Sequence, residues 1–410
     1  MRQTALHGRP WAQAAADRGT SRRINRQLAL NLIRMRQPLS RTDLAHHMGT
    51  RRGAVTEIVT SLIREGHVYE GATGDAPRGR KPRFLFIDSR RRCVAAVDMR
   101  PTRTQLMLTD LGGQPLHDAM SFPTSSDPRV LVRELSERIR TLLASQQPHR
   151  DCEGVGVVVP GMVDRSGDVV VFAPRLGWRD VPLREPLAAA TGLPVRIENS
   201  GKAGALAQVW LTRGHEQPPE NFVFLSVSDG LGVGVVVEGE LLRGRHNIAG
   251  EFGHFPIAVD GPGCACGARG CLEAHVSNLA TLARYFGRAP NQARLDPHAP
   301  PGLTVDDLVA RARSADVRAR DALQATARFL GIGLAGLVNA VDPERFYLSG
   351  EIVGAWDLVE KPLRAALEER VLRPASSDIE IRLVPPAEQP RLRGAAALVI
   401  SAKYMGAAAA

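Results

Sequence analysis

Three of the chain's five cysteines lie in one glycine-rich stretch, GEFGHFPIAVDGPGCACGARGCLE, which covers residues 250–273. Cys264 and Cys266 are separated by one residue, Cys271 follows five residues later, and His254 lies ten residues before Cys264. Three thiolates and one imidazole form a ligand set for tetrahedral zinc, and the glycines permit tight turns between the ligands. The spacing is not that of a zinc finger, so the residues alone leave two alternatives. They are a closed structural zinc site and reduced thiols packed in the interior.

Two acidic residues accompany the cysteines. Glu251 lies three residues before His254, and Glu273 lies two residues after Cys271. A metal ion would orient both carboxylates and would leave one ring nitrogen of the histidine as a hydrogen-bond donor. Because charged acceptors bind sugar hydroxyls through strong hydrogen bonds, the stretch could also form the wall of a sugar pocket. The alternative is that both acids lie at helix ends or in solvent.

Basic residues are distributed unevenly along the chain. Residues 1–92 contain 19 Lys and Arg against 7 Asp and Glu, whereas the remaining residues contain 34 against 36. A basic block before a nearly neutral remainder is typical of a module that binds a polyanion. The alternative is a solvated basic tail.

The pattern within the basic block predicts three helices. Apolar residues recur at helical spacing in SRRINRQLALNLIRMRQ, Ser40 can cap a second helix that stops at Gly49, and RRGAVTEIVTSLIREG predicts a third helix that ends at Gly66. The third helix has an inner and an outer face: Val55, Ile58, Val59 and Leu62 inside, and Arg51, Arg52, Thr56 and Thr60 outside. Two helices joined by a glycine turn, with arginines at the start of the second one, are typical of a protein that reads the major groove.

The stretch HVYEGATGDAPRGRKPRFLFID predicts two strands and a long basic loop, or wing, after the third helix. Arginines on such a loop can contact phosphates or a narrow minor groove. We therefore expect a disordered arm at residues 1–20 and a winged helix-turn-helix that binds double-stranded DNA at residues 21–90. The candidate DNA contacts are Arg51, Arg52, Thr56, Arg78, Arg80 and Lys81.

After residue 92, short apolar strands alternate with amphipathic helices, which indicates an α/β fold. Five stretches of this region resemble the ROK family of bacterial repressors, uncharacterised reading frames and sugar kinases: VVVPGMVD, LPVRIEN, AGEFGHF, CACGARGCLEAHVS and LRGAAALVIS. The resemblance covers about residues 22–405, and the helix-turn-helix matches the repressor branch. It implies a two-lobed actin-like fold, of the sugar-kinase and ribonuclease H-like class, for residues 93–405. Lobe 1 would be about residues 93–205 with the C-terminal helix, and lobe 2 about residues 206–390.

The resemblance also assigns roles to the glycine-rich stretch. It implies that His254, Cys264, Cys266 and Cys271 bind one structural zinc ion. It further implies that a sugar is bound by Asn199, Glu251, His254 and Glu273. The zinc site would then brace one wall of the sugar pocket.

The residues that a ROK kinase uses for phosphoryl transfer are altered in this chain. The family's catalytic base is an aspartate directly after a Glu-Asn pair, and here Ser200 stands at that position. A serine hydroxyl is essentially not basic at neutral pH, and loss of a general base costs on the order of 100- to 10,000-fold in rate. The first phosphate turn reads DMRPT, in which Arg100 and Pro101 replace glycines. The second phosphate turn, SDG at 228–230, contains a carboxylate that would repel a triphosphate.

Together these features predict a sugar-responsive DNA-binding transcriptional regulator, a repressor of carbohydrate genes that has lost kinase activity. The expected partners are an operator DNA, a sugar or sugar-phosphate effector, and further copies of the chain in a homodimer or homotetramer. Two alternatives remain, an ATP-dependent sugar kinase with a fused DNA-binding head and a module that responds to a protein partner. No stretch approaches the length of a membrane span, and five cysteines do not make a disulfide framework, so we expect a cytoplasmic, nucleoid-associated protein.

Overall fold

The structure, a computed structural model, describes most of the chain and divides it into two compact units. The described residues are 18–73, 83–89, 91–146, 150–211, 219–289, 302–372 and 379–405. One unit consists of Met1–Arg92 with Ile400–Ala410, and the other of Cys93–Val399. Among the described helices, none is both long enough and apolar enough to span a membrane.

The first unit contains three helices and a small antiparallel sheet. Its elements are β1 (Leu39–Ser40), β2 (Val68–Thr73) and β3 (Arg83–Ile87), with α1 (Arg18–Arg36), α2 (Arg41–Met48) and α3 (Arg52–Arg64). The strand order is β1-β3-β2. The three predicted helices are therefore present, but the arm predicted at residues 1–20 is too long, because α1 already begins at Arg18. Residues 1–17 lie outside the described residues.

Local sequence signals account for α2 and α3. The Ser40 side chain accepts a hydrogen bond from the Asp43 amide, the Asp43 carboxylate accepts one from the Ser40 amide, and α2 stops where Gly49 takes a left-handed conformation. The inner face of α3 is buried at Val55, Val59 and Leu62 and half-buried at Ile58. Its outer face is exposed at all four predicted positions, Arg51, Arg52, Thr56 and Thr60.

The two strands predicted for the wing pair as an antiparallel hairpin. The loop between them, with the candidate DNA contacts Arg78, Arg80 and Lys81, lies outside the described residues. The sequence did not predict β1, which pairs Leu39 with Leu85 and Ser40 with Phe84. A strand of two residues is too short to show an alternating pattern.

The second unit contains two five-stranded mixed sheets with helices around them. The elements of its first half are β4 (Arg92–Met99), β5 (Arg103–Thr109), β6 (Met120–Pro123), α4 (Pro128–Ala144), β7 (Asp151–Val159), β8 (Met162–Val163), β9 (Val169–Ala173), β10 (Trp178–Pro182), α5 (Arg184–Thr191), β11 (Val195–Asn199) and α6 (Ser200–Leu211). The elements of its second half are β12 (Phe222–Val227), β13 (Leu231–Val237), β14 (Glu240–Leu241), α7 (Leu272–Val276), α8 (Asn278–Tyr285), α9 (Val305–Arg313), α10 (Val317–Val341), β15 (Arg345–Gly350), α11 (Trp356–Glu368), β16 (Glu380–Val384) and α12 (Pro390–Met405).

The strand orders of the two large sheets are β11-β7-β4-β5-β6 and β14-β13-β12-β15-β16. The hairpins predicted from the sequence, β4–β5 and β12–β13, are both antiparallel, while β11–β7 and β12–β15 are parallel. A small third sheet, β10-β9-β8, follows β7. Each large sheet has its own apolar core, formed by buried Val, Leu and Ile side chains of its strands and of the helices that cover it.

One glycine allows α12 to approach the first sheet closely. A Cβ atom at Gly156, in β7, would lie 1.8 Å from the carbonyl oxygen of Ala395. Only glycine permits this contact. The contact holds α12 against β7, and the first turn of α12 carries Arg391, which reaches the end of β4.

Candidate ligand cavity and metal site

A cavity in the second unit is lined by residues from the turns and strand ends of both large sheets. All four residues predicted to bind a sugar line it, and so does Ser200: Asn199, Glu251, His254, Glu273 and Ser200. The SDG turn at 228–230 lines the same cavity. The structure therefore brings together residues that are up to 74 positions apart in the sequence.

Asn199 lies at the junction of β11 and α6, and hydrogen bonds fix its amide. Oδ1 accepts a hydrogen bond from the amide of Gly201 at 2.8 Å, and Nδ2 donates to the carbonyl oxygen of Gly161 at 3.0 Å. The side chain thereby caps the first turn of α6, where Ser200 is the first residue. This arrangement places the amide of Asn199 and the hydroxyl of Ser200 side by side at the cavity wall.

Glu273 lies in the first turn of α7 and is buried. Its Oε2 accepts a hydrogen bond from the amide of Leu231 at 3.0 Å, and its Oε1 lies 3.7 Å from NH2 of Arg175. A Cβ atom at Gly230 would lie 2.7 Å from Oε2 of Glu273. The glycine of the SDG turn therefore makes room for a cavity carboxylate.

Glu251 lies in a strongly desolvated position. Burial, the largest cause, acts together with the nearby Glu273 and Glu198 and against Lys202, and the net effect raises the pKa of the Glu251 carboxyl group to about 7. Lys202 itself is buried and donates from Nζ to the carbonyl oxygen of Asn247, and burial lowers the pKa of its ammonium group. A carboxyl group with a pKa near neutrality can both accept and donate hydrogen bonds, which suits a hydroxyl-rich ligand.

A buried polar network lies next to α6. Glu198 accepts hydrogen bonds from NH1 of Arg243 and, at 3.2 Å, from Nδ2 of Asn247. Lys202 joins this network through the carbonyl oxygen of Asn247. The network stabilises the β11–α6 junction that carries Asn199.

The predicted metal ligands form a compact cluster. The ligand atoms of His254, Cys264, Cys266 and Cys271 all lie within 4.8 Å of one another. The distance from Nδ1 of His254 to Sγ of Cys264 is 3.6 Å, and that between the Sγ atoms of Cys266 and Cys271 is 3.8 Å. A tetrahedral zinc site with Zn–S bonds of about 2.3 Å requires ligand-to-ligand distances of about 3.8 Å. The four donors therefore fit a metal ion, and it is Nδ1 of His254 that faces the cluster.

The first predicted phosphate turn contains an internal ion-pair cluster. Asp98 is buried and accepts hydrogen bonds from Nε of Arg100 at 3.0 Å and from Nε of Arg391 at 2.7 Å. NH1 of Arg100 also lies 3.7 Å from Glu351. Glycines at this turn would leave backbone amides open to a phosphate, whereas here an arginine is held between two acids.

A family model described as ROK family matches residues 94–402. This chain belongs to the ROK family. The xylose repressor of Bacillus subtilis (strain 168) is 28% identical to it over 368 residues, which are 89% of this chain and 92% of the relative. A glucokinase of Streptomyces coelicolor is 31% identical over 278 residues, which are 65% of this chain and 84% of the relative. The prediction of the family is thereby confirmed.

Solved structures extend the comparison of this ROK chain. The crystal structure of a ROK family transcriptional regulator, a homolog of the E. coli MLC protein, superposes with a TM-score of 0.78 at 27% identity and covers 94% of this chain and 97% of its own. A ROK family glucokinase from Streptomyces griseus, solved with glucose and AMPPNP, gives a TM-score of 0.62 at 26% identity and covers 74% of this chain and 98% of its own. The two-lobed sugar-kinase-like α/β fold is thereby confirmed. The regulator covers 94% of this ROK chain, whereas the glucokinase covers 74%.

Sequence reasoning missed several polar residues of this ROK chain. Arg175 lines the cavity and lies between β9 and β10, in a stretch, PRLGW, that carries no motif for a binding role. Lys202 had a signal that could have been used, because it is the only charged residue in the helix SGKAGALAQVWL. The contact of Arg391 with Asp98 joins residues 293 positions apart, and no local pattern predicts it.

Proposed function

We propose that this chain is a sugar-responsive transcriptional repressor, in which the second unit binds a sugar and the first unit binds operator DNA. The observation that carries the proposal is the convergence of Asn199, Glu251, His254 and Glu273 on one cavity. The nearly full-length match to xylose repressors supports it.

The sugar is held by hydrogen bonds from its hydroxyl groups. The carboxylates of Glu251 and Glu273 are strong acceptors, and the amide of Asn199 and the imidazole of His254 supply donors. His254 donates from Nε2, since Nδ1 faces the cysteine cluster. Binding shifts the protein toward the arrangement for which the sugar has the higher affinity, and this shift changes operator binding.

The cysteine cluster binds one structural zinc ion through His254, Cys264, Cys266 and Cys271. Four protein ligands leave no open position, so the metal orients residues rather than taking part in a reaction. Cys271 is directly followed by α7, which carries Glu273, so the cluster fixes both His254 and Glu273 at the cavity wall.

The chain does not phosphorylate its sugar. Ser200 stands where a catalytic base would be needed, and a hydroxyl next to Asn199 cannot accept a proton at neutral pH. Arg100 is held by Asp98 and Glu351, and Asp229 adds a carboxylate to the cavity wall. A kinase with a fused DNA-binding head is the alternative, which the matches to glucokinases favour.

Residues 21–90 form a winged helix-turn-helix, in which α3 enters the major groove, and residues 93–405 form the sugar-binding domain. Arg51, Arg52 and Thr56 are exposed at the start of α3, the end that meets base edges in this class of protein. Arg78, Arg80 and Lys81 of the wing contact the phosphate backbone or the minor groove. A homodimer or homotetramer would read two half-sites separated by whole helical turns.

Operator binding by the full chain, with and without sugars, tests the proposal. A fluorescent duplex from the region upstream of the chain's own gene is titrated in the presence of D-xylose, D-glucose, D-mannose or N-acetyl-D-glucosamine. We expect specific binding that at least one sugar weakens, and no ATP consumption with any of them. Turnover of ATP on one of these sugars at ordinary enzymatic rates would instead establish the kinase.

A matched pair of variants tests the DNA-binding face. The double variant R51A/R52A removes two charges at the start of α3, while R64A removes an exposed charge from the end of the same helix. If both arginines contact phosphates, the salt dependence of binding falls by about 2 in the log–log slope for R51A/R52A. We expect R64A to bind the operator with the salt dependence of the wild type. If R64A and R51A/R52A changed the salt dependence equally, the start of α3 would not be the DNA-binding face.

A further inference from the structure

The cavity contains a cation that the sequence motifs do not account for. Arg175 lies in the short helical turn Pro174–Leu176 between β9 and β10, and its side chain is only 14% exposed. It comes from the half of the unit that carries the first sheet, whereas Glu273 comes from α7 in the other half. NH2 of Arg175 and Oε1 of Glu273 are 3.7 Å apart at the cavity wall. The planar guanidinium group of Arg175, a hydrogen-bond donor, and the carboxylate of Glu273, a charged acceptor, thus lie side by side in the cavity.

The charges around the cavity limit which ligands it accepts. Three acidic side chains line it, Glu251, Glu273 and Asp229, against two arginines. One of these, Arg391, donates to Asp98 at 2.7 Å, and the other, Arg175, lies beside Glu273. A phosphate or carboxylate group on the ligand would therefore meet Asp229, Glu273 and a partly ionised Glu251, while each arginine already lies next to a carboxylate. A neutral ligand meets no such repulsion.

We propose that Arg175 is a specificity-determining residue that, together with Glu273, binds two neighbouring hydroxyl groups of a neutral, unphosphorylated sugar. The guanidinium donates to one hydroxyl, and the carboxylate accepts a hydrogen bond from the next. A hydroxyl group both donates and accepts hydrogen bonds. Two hydroxyl groups on adjacent carbon atoms can therefore bind the guanidinium and the carboxylate while these two groups stay next to each other. This inference rests on the proposed function, and it narrows the effector from a sugar or sugar phosphate to a neutral sugar.

Calorimetric titration of the full chain tests the proposal. The probes are D-xylose, D-glucose, D-mannose and N-acetyl-D-glucosamine as neutral sugars, with D-glucose 6-phosphate and D-glucuronate as anionic ones. We expect at least one neutral sugar to bind and both anionic probes to bind at least 10-fold more weakly. Tighter binding of either anionic probe than of every neutral sugar would contradict the proposal.

Variants of Arg175 separate a ligand contact from a structural ion pair. R175A and R175Q are compared with R179A, which removes an arginine that lies over the ring of Phe172 and is exposed. A hydrogen bond from a charged donor is worth about 10- to 100-fold in affinity, so R175A should lose that factor for the neutral sugar and R179A should not. R175Q, which keeps a donor, should lose less than R175A while both retain the wild-type melting temperature to within a few degrees.

Deoxy analogues of the sugar that binds identify the contact itself. Removing the hydroxyl that Arg175 contacts should weaken binding to the wild type and leave binding to R175A almost unchanged. If sugar binds equally well to R175A and to the wild type, Arg175 has no role in binding, although the proposed function stands. If no sugar binds to the wild type, the proposed function fails as well, so the two failures are distinguishable.

Discussion

Arg391 donates a hydrogen bond from Nε to Oδ1 of Asp98 at 2.7 Å, and the two residues are 293 positions apart in the chain. Asp98 is 1% exposed near the end of β4, and Arg391 is 8% exposed in the first turn of α12. NH2 of Arg391 also donates to the carbonyl oxygen of Met99 at 3.1 Å. The ion pair therefore joins α12 to the strand that precedes the predicted first phosphate turn.

Replacing this arginine should destabilise the protein strongly. R391A leaves the buried carboxylate of Asp98 with Arg100 as its remaining hydrogen-bonded arginine, and removal of one partner of a buried ion pair costs about 3 kcal/mol of unfolding free energy or more. The measurement is urea denaturation followed by circular dichroism. R364A, which breaks the more exposed pair of Arg364 with Glu360 in α11, should cost at most about 0.5 kcal/mol. An equal loss of unfolding free energy in both variants would mean that the buried ion pair stabilises the protein no more than the exposed one does.

An aspartate in place of Ser200 should not by itself create a kinase. S200D supplies a carboxylate next to Asn199, which in a complete site is worth on the order of 100- to 10,000-fold in rate. The turn with Arg100 and Pro101 still offers no glycine amides to a phosphate, so we expect ADP formation with D-glucose or D-xylose to stay at the background level. A coupled assay for ADP measures it. Rapid turnover by S200D would show that the altered turn still binds ATP.

Loss of metal should weaken both the fold and ligand binding. We expect one zinc ion per chain by elemental analysis, and a lower melting temperature after treatment with a chelator. C264S and C271S should lose zinc and bind sugar more weakly, because the cluster positions His254 and Glu273. C152S is the control, since Cys152 lies in β7 outside the cluster, and it should keep its zinc. Wild-type melting behaviour in metal-free protein would exclude a structural metal.

Much of the fold was predictable because its signals are local. The stripe of Val55, Val59 and Leu62, the cap at Ser40 and the hairpins of short apolar strands each depend on residues within one or two elements. The two-residue strand β1 was missed because its pairing depends on Leu85, which lies 46 positions further along the chain.

The candidate site likewise contains residues that a local motif predicts and residues that only the packing of the fold brings there. The clustering of His254 with the three cysteines, and the presence of Glu251 and Glu273 at the cavity, could be predicted because these residues belong to one short motif that resembles a family motif. Arg175 lies in the cavity wall and Lys202 lies behind it. Neither was predicted, because both positions follow from packing between the two halves of the second unit. A charged residue in a glycine- and alanine-rich helix, as in α6, is the signal that could have pointed to Lys202.

Two glycine-to-alanine substitutions should affect the free energy of unfolding very differently. A Cβ atom at Gly156 would lie 1.8 Å from the carbonyl oxygen of Ala395, so G156A forces β7 and α12 apart and disturbs the buried face of that helix. We expect a loss of about 3 kcal/mol in the free energy of unfolding, toward the upper end for overpacking. G336A, inside α10, meets no atom within 4 Å and replaces the glycine by a better helix former, so it should be neutral or stabilise by up to about 1 kcal/mol. Urea denaturation of both variants measures the difference, and a G156A protein as stable as G336A would show that α12 does not pack on β7 as described.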